Sequence, residues 1–166
     1  NLSTMKFICS QSDLHNSLNL VSPSVPAKPS HPILASILFK VDKDQGQVTL
    51  TGYNLSIGIK STFDAEIAEG GATCIAAKTI VDIISRLPKS DISFDISDDE
   101  CVIFCEKSQY KIPVISHDEF PELPENQAST IILPSSLFQQ GLKQALVAVS
   151  SDETKMVLTG INVLAN

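Results

Sequence analysis

Apolar and polar residues alternate along some short runs of this chain and recur at helical spacing in others. Residues 5–10 (MKFICS) alternate and predict a strand. Over residues 11–22, Leu14, Leu18 and Val21 fall at i, i+4 and i+7, the spacing of one helical face. Ser10 or Ser12 can cap that helix. Residues 22–32 (SPSVPAKPSHP) break it, with a proline at every third position. Strand-like runs follow at 33–42, 46–52 and 54–65, separated by turn chemistry at Asp44-Gln45-Gly46 and Gly52-Tyr53-Asn54.

The pattern then restarts. Gly70-Gly71 reads as a turn and 72–76 as a strand. Residues 78–87 place Ile80, Ile83, Ile84 and Leu87 on one helical face, and Pro88 stops the helix. Short strands are predicted at 91–97, 101–106 and 109–115, with turns at 97–100 and at Lys107-Ser108. A third start comes at 129–133 (STIIL), followed by Pro134 at a helix N1 position. A stripe of Leu137, Phe138, Leu142, Leu146 and Val149 follows, then a strand-like run at 155–161. Strand–helix–three-strand units thus begin near 5, 72 and 129, the third cut short. Two such units predict an α+β fold, with two helices on one side of antiparallel sheet. Residues 5–116 form the first domain in this reading. Residues 117–128, acidic and proline-bearing, form a linker, and 129–166 begin a second domain too short for its own core. Residues 1–4 precede Met5 and read as a tag or upstream sequence. The whole reads as the N-terminal part of something longer.

Total charge alone argues against ordinary non-specific nucleic-acid binding. The 166 residues hold 12 Lys and Arg against 19 Asp and Glu, a net charge of −7. Bulk positive surface that displaces counterions is therefore missing. Partition changes the picture. The three predicted helical stretches hold four basic and two acidic residues, a balance of +2. The remainder holds eight basic and seventeen acidic residues, a balance of −9. Helices gathered on one face would be mildly basic in an otherwise acidic molecule. No apolar run approaches the ~18 residues of a membrane span, and no signal peptide is evident. Cys9, Cys74, Cys101 and Cys105 lack metal-ligand spacing. Cys101 and Cys105 share a strand parity that holds them about 13 Å apart, too far for a disulfide. Reduced strand cysteines of a cytoplasmic protein are expected.

Several short stretches carry a resemblance. They are Lys28-Pro29-Ser30-His31-Pro32-Ile33-Leu34, Leu50-Thr51-Gly52-Tyr53-Asn54-Leu55, Ala77-Lys78, Asp82-Ile83, Leu87-Pro88, Asp118-Glu119-Phe120-Pro121 and Leu158-Thr159-Gly160. In this order and spacing the chain resembles the bacterial DNA polymerase III beta subunit, the replicative sliding clamp, over residues 5–164. Its details look cyanobacterial. The resemblance implies a DNA-clamp fold: helices lining a central hole, sheets forming the outer wall, and two protomers closing a homodimeric ring. It implies a processivity factor that encircles double-stranded DNA and tethers the polymerase III alpha subunit, with a clamp loader as a further partner.

The resemblance also distributes roles. Lys28 falls where the family has a DNA-contacting arginine; lysine keeps the charge but loses the bidentate fork. Lys78 matches a basic position facing the hole, and Arg86 and Lys89 lie near another that Ser85 formally occupies. These would attract phosphates without regard to sequence. Residues 107–112 resemble the edge strand at the protomer interface, with Lys107, Tyr110 and Ile112 at family positions, and Asp82 matches a further interface position. The alternative for this edge is an exposed strand guarded by Lys107 and Lys111. Lys155 and Leu158 match part of the pocket for polymerase-binding peptides.

Other function classes find less support. No nucleophile elbow, Walker lysine or H-E-x-x-H motif occurs, and His15, His31 and His117 are scattered. Catalytic residues, metals and cofactors are not expected, although the family serves a complex that polymerises DNA and removes nucleotides. Asp98-Asp99-Glu100 reads as a solvated turn. The proline ladder could serve as a polyproline ligand, and the sheet edge could bind peptides.

Overall fold

The computed structural model describes residues 4–97, 99–124 and 131–164. The chain forms two compact units, 1–124 and 125–166.

In the first unit β1 (Met5–Ser10) buries Met5, Phe7 and Cys9 and turns Lys6 and Ile8 outward, as its alternation requires. Ser10 ends the strand and caps α1 (Gln11–Val21): its Oγ accepts from the Asp13 backbone N–H at 3.1 Å and donates to the Asp13 carboxylate at 2.7 Å. Leu14, Leu18 and Val21 form the buried stripe of α1. Pro23 then ends regular helix in a short 3-10 turn, Ser22–Ser24.

Three strands follow: β2 (Ser36–Asp42), β3 (Gln47–Tyr53) and β4 (Gly58–Asp64). Gly52 and Tyr53 lie inside β3 rather than in the turn expected there. Asn54 makes the turn instead, its side-chain oxygen accepting from the backbone N–H groups of Ser56 and Ile57. The run expected as one strand to residue 65 continues as a further short strand, β5 (Glu66–Glu69). Phe63, Ala65 and Ile67 keep one parity and all pack on the core, so no glycine or proline marks the change of sheet.

The second repeat comprises β6 (Gly71–Ala76), α2 (Ala77–Arg86), β7 (Asp91–Ile96), β8 (Glu100–Cys105) and β9 (Ser108–Pro113). The antiparallel layer divides into two sheets, ordered β5-β1-β7-β8-β9 and β4-β3-β2-β6. The first strand of each repeat pairs with the second strand of the other: β1 with β7, and β6 with β2. Neither repeat can complete its sheet alone. Both helices and both sheets bury their apolar faces in one core. Phe94 joins the sheets there, stacked on Phe7 at 4.6 Å between ring centroids and tilted against Phe39 at 6.4 Å.

A smaller cluster covers the opposite face of the four-stranded sheet. It contains Ile33, Leu34, Tyr53, Cys74 and Phe120, with Leu38 and Leu123 packed against it. Ile115 and Cys74 exchange backbone hydrogen bonds of 2.9 and 3.0 Å at the edge of β6. The stretch expected as a linker, 117–128, is therefore packed as far as Leu123; residues 125–128 lie outside the described residues.

In the second unit α3 (Ser135–Leu146) begins after Pro134. Its apolar stripe is exposed at Leu137, Phe138 and Leu146. Of the strand expected at 129–133, residues 129–130 lie outside the described residues and Ile131–Leu133 are not in a strand. The strand expected at 155–161 is instead a 3-10 segment, Glu153–Thr159. A strand requires a ladder partner, and this unit has none among its described residues. Local bonds fold the segment instead, with Asp152 accepting from the Thr154 backbone and hydroxyl.

Candidate nucleic-acid interface

The two helices of the first unit lie against each other. Gln11 is buried between them, its side-chain amide donating to the Ile84 carbonyl at 2.8 Å while its backbone N–H donates to the Ser90 carbonyl at 3.1 Å. The start of α1 thus meets the end of α2. A shallow groove at this junction is lined by Ser12, His15, Asn16, Ser85 and Lys89.

The exposed side of α2 is set by its strong segregation of polar and apolar positions. Ala77, Ile80 and Ile84 are buried, which leaves Lys78, Asp82 and Arg86 outside, four residues apart. That spacing puts them on one stripe about 12 Å long. Lys89 is exposed just beyond the helix. The fold therefore brings Lys89 to the groove, leaves Arg86 exposed on the last turn of α2, and carries Lys78 toward the other end of the helix. Lys28 is exposed in the loop after α1. None of these four cations is in an ion pair among the described residues. Asp82 shares the stripe with Lys78 and Arg86, so helix geometry does not separate the residue expected at the protomer interface from those expected at DNA.

Charge counting overlooked the uncharged part of this face. Ser12, Asn16 and Asn19 are exposed on α1, opposite its buried stripe. Asn19 approaches the His15 ring at 3.3 Å, one turn away. A helical wheel finds these residues, because Leu14, Leu18 and Val21 already fix the inward direction. The face offers cations and neutral hydrogen-bond donors at modest density, diluted by Asp13 and Asp82. Such a surface can hold a polyanion loosely.

Among the described residues the edge strand β9 pairs only with β8, its other edge carrying no neighbour. Tyr110 is 38% exposed there, whereas Ile112, on the same parity, is buried in the core at 7%. Ile112 therefore supports the edge from beneath and offers little surface of its own. Lys111 is held by Glu100 at 3.3 Å, and Lys107 lies in the turn before β9. In the second unit Lys155 and Leu158 are both exposed, at the kink and near the end of the 3-10 segment. The Ser150 backbone N–H donates to the Leu158 carbonyl at 2.9 Å.

Among the described residues no three His, Cys, Asp or Glu side chains gather as a metal site. Asp98 lies outside the described residues, Asp99 ends the β7–β8 connection and Glu100 begins β8. All four cysteines are free and buried. Burial, aided at Cys9 and Cys101 by nearby carboxylates, pushes the thiols of Cys9, Cys74 and Cys101 up to about 12. A thiol so hard to ionise is no nucleophile. No helix among the described residues is long and apolar enough to cross a membrane.

Known proteins with this arrangement converge on one family. The family described as DNA polymerase III beta subunit, N-terminal domain, matches residues 5–124. The chain is 41% identical over 160 residues to the beta sliding clamp of Synechococcus elongatus, covering 95% of the chain and 43% of that relative. It is 40% identical over 167 residues to the beta sliding clamp of Synechocystis sp., covering 96% and 43%. Among solved structures, the DNA polymerase sliding clamp of Bacillus subtilis superposes with a TM-score of 0.86 at 26% identity, covering 95% of this chain and 44% of that one. The beta subunit from the DNA polymerase of Streptococcus pyogenes gives 0.85 at 29%, covering 93% and 42%. The chain spans less than half the length of these curated relatives. With exchanged repeats, paired helices and this match across its first unit, the chain belongs to the DNA polymerase III beta subunit family.

Proposed function

We propose that the protein works as a sliding clamp, a processivity factor that surrounds duplex DNA and keeps the replicative polymerase on its template. The observation that carries this reading is the pairing of α1 and α2. Two repeats that exchange their first strands deliver a single two-helix face, weakly cationic and rich in neutral donors, on a chain of net charge −7. A protein that grips DNA needs dense positive charge, whereas one that encircles it needs a lining on which the duplex can move. Lys28, Lys78, Arg86 and Lys89 would meet phosphates without reading sequence.

Retention in this reading is topological. The protein makes and breaks no bond itself and is an accessory subunit in the cytoplasm. Its partners are the polymerase alpha subunit, the clamp loader and a second copy of itself. Tyr110 on β9 and Lys107 in the turn before it, backed by Ile112, would meet that second copy, and Asp82 on α2 would be a further contact. Lys155 and Leu158 would contribute part of a pocket for the polymerase peptide.

Loading the intact protein on nicked circular duplex with its clamp loader tests the proposal. The expected result is retention on the circle and rapid loss once the DNA is linearised. Equal retention on both forms would mean direct gripping and would overturn it.

A further inference from the structure

The five-stranded sheet has a second surface, on the face turned away from the core and the helices. Across this face Glu66, Ile8, Ser93, Phe104 and Gln109 are successive register neighbours on five strands. Ile8 and Phe104 stand 40% and 43% exposed. Ser93, between them, is small. The row therefore has a notch with apolar walls, two strand spacings or about 10 Å across.

The charges on the two sides of this row differ. On one side Lys6 holds Asp95 at 3.2 Å, and Lys111 holds Glu100 at 3.3 Å. On the other, Asp64, Asp91 and Glu106 join Glu66 around the depression, and no lysine or arginine lines it. Their recorded side-chain partners are neutral: Ser90 donates to Glu106 at 2.6 Å and Gln47 to Asp64 at 3.1 Å. None of the four carboxylates is in an ion pair among the described residues. The surface thus combines exposed apolar walls with uncompensated negative charge, and its complement is an apolar side chain flanked by cations.

We propose that this sheet face docks a short segment of a partner protein in which an aromatic side chain is flanked on both sides by lysine or arginine. The aromatic group would enter the notch over Ser93, between Ile8 and Phe104, and the flanking cations would meet the carboxylates. A second copy of this chain docking through the same face is a poor occupant, because two acidic rims would meet and repel. The proposal stands whether or not the helical face meets DNA.

Fluorescence anisotropy with three labelled pentapeptides tests it on the unaltered chain. The probes are Lys-Lys-Phe-Lys-Lys, Lys-Lys-Gly-Lys-Lys with equal charge, and Glu-Glu-Phe-Glu-Glu with the same anchor. The first is expected to bind about fivefold or more tighter than the second, and the third not at all. Ser93→Phe, which fills the notch, and Phe104→Ser, which removes a wall, should each weaken the first probe by a similar factor. Asp91→Asn with Glu106→Gln should weaken it about threefold and flatten its salt dependence. Equal binding of the first two probes would reduce the effect to bulk charge attraction and overturn the proposal. Absence of binding, or binding indifferent to both Ser93→Phe and Phe104→Ser, would overturn it as well. Circular dichroism establishes that each variant is folded, and the comparison of probes on the unaltered chain decides the matter if one is not.

Discussion

Phe94 is the residue on which the two sheets converge. It is fully buried, stacks on Phe7 within its own sheet and reaches Phe39 in the other. Truncation to alanine removes both contacts and leaves a cavity between layers that close packing cannot refill. Phe94→Ala is expected to cost about 3–5 kcal/mol, read as a lower urea midpoint at unchanged slope. The buried thiols make a different prediction. Cys9, Cys74 and Cys101 ionise near 9.0 when exposed and near 12 in the fold, so the folded chain binds more protons between those values. Their stabilising effect is complete below about pH 9 and is lost as pH rises toward 12. Unfolding midpoints should fall between pH 8 and pH 10, and Cys101→Ala should make that fall shallower. At this scale sequence parity was informative but incomplete. It placed Tyr110 and Ile112 on one face of β9, and it could not show that the core ends between them, with Ile112 inside and Tyr110 at the margin.

The elements show where reading the sequence succeeds and where it stops. Strands β1, β7 and β8 and helices α1 and α2 follow from local periodicity, because each buries one face and its apolar residues recur at that face's period. Pairing is another matter. Alternation tells which side of a strand is buried, not which strand lies next to it. The exchange of β1 and β6 between repeats was therefore illegible. Strand β5 was missed because the chain passes from one sheet to the other through Ala65 without changing parity. The 155–161 run was misread because strand propensity counts only where a ladder exists to join. Gly52 records a constraint between elements. It lies in β3 where the strand passes under the end of α1, and a Cβ there would come within 2.7 Å of the Val21 carbonyl oxygen. Backbone cannot yield as a side-chain tip can. Gly52→Ala is therefore expected to destabilise the first unit by about 1–3 kcal/mol, measured by thermal or urea unfolding. Loss of the α1 cap in Ser10→Ala should cost about 1 kcal/mol in the same assay.

For the whole molecule, the proposed clamp role requires a chain of net charge −7 to keep company with DNA. The helical face answers through placement rather than amount. Its cations are few, and Asp82 sits among them on the Lys78–Arg86 stripe. A carboxylate in that position weakens attraction to phosphate, which suits the sliding contact proposed for this face. Asp82→Asn should raise affinity for a short labelled duplex by about two- to fivefold at low salt. The gain should disappear near 1 M salt, where the screening length falls to about 3 Å. Lys78→Ala should weaken binding uniformly across sequences and lower the slope of log affinity against log salt by about one. Lys28→Glu should act in the same direction and more strongly, since it reverses a charge instead of deleting one. The Asp82 variant also separates the two roles its position allows. If its affinity for DNA rises and self-association is unchanged, Asp82 belongs to the DNA-facing stripe. If sedimentation shows weakened self-association while DNA affinity stays the same, its carboxylate meets the second protomer, and the stripe divides between two surfaces within a single turn of helix.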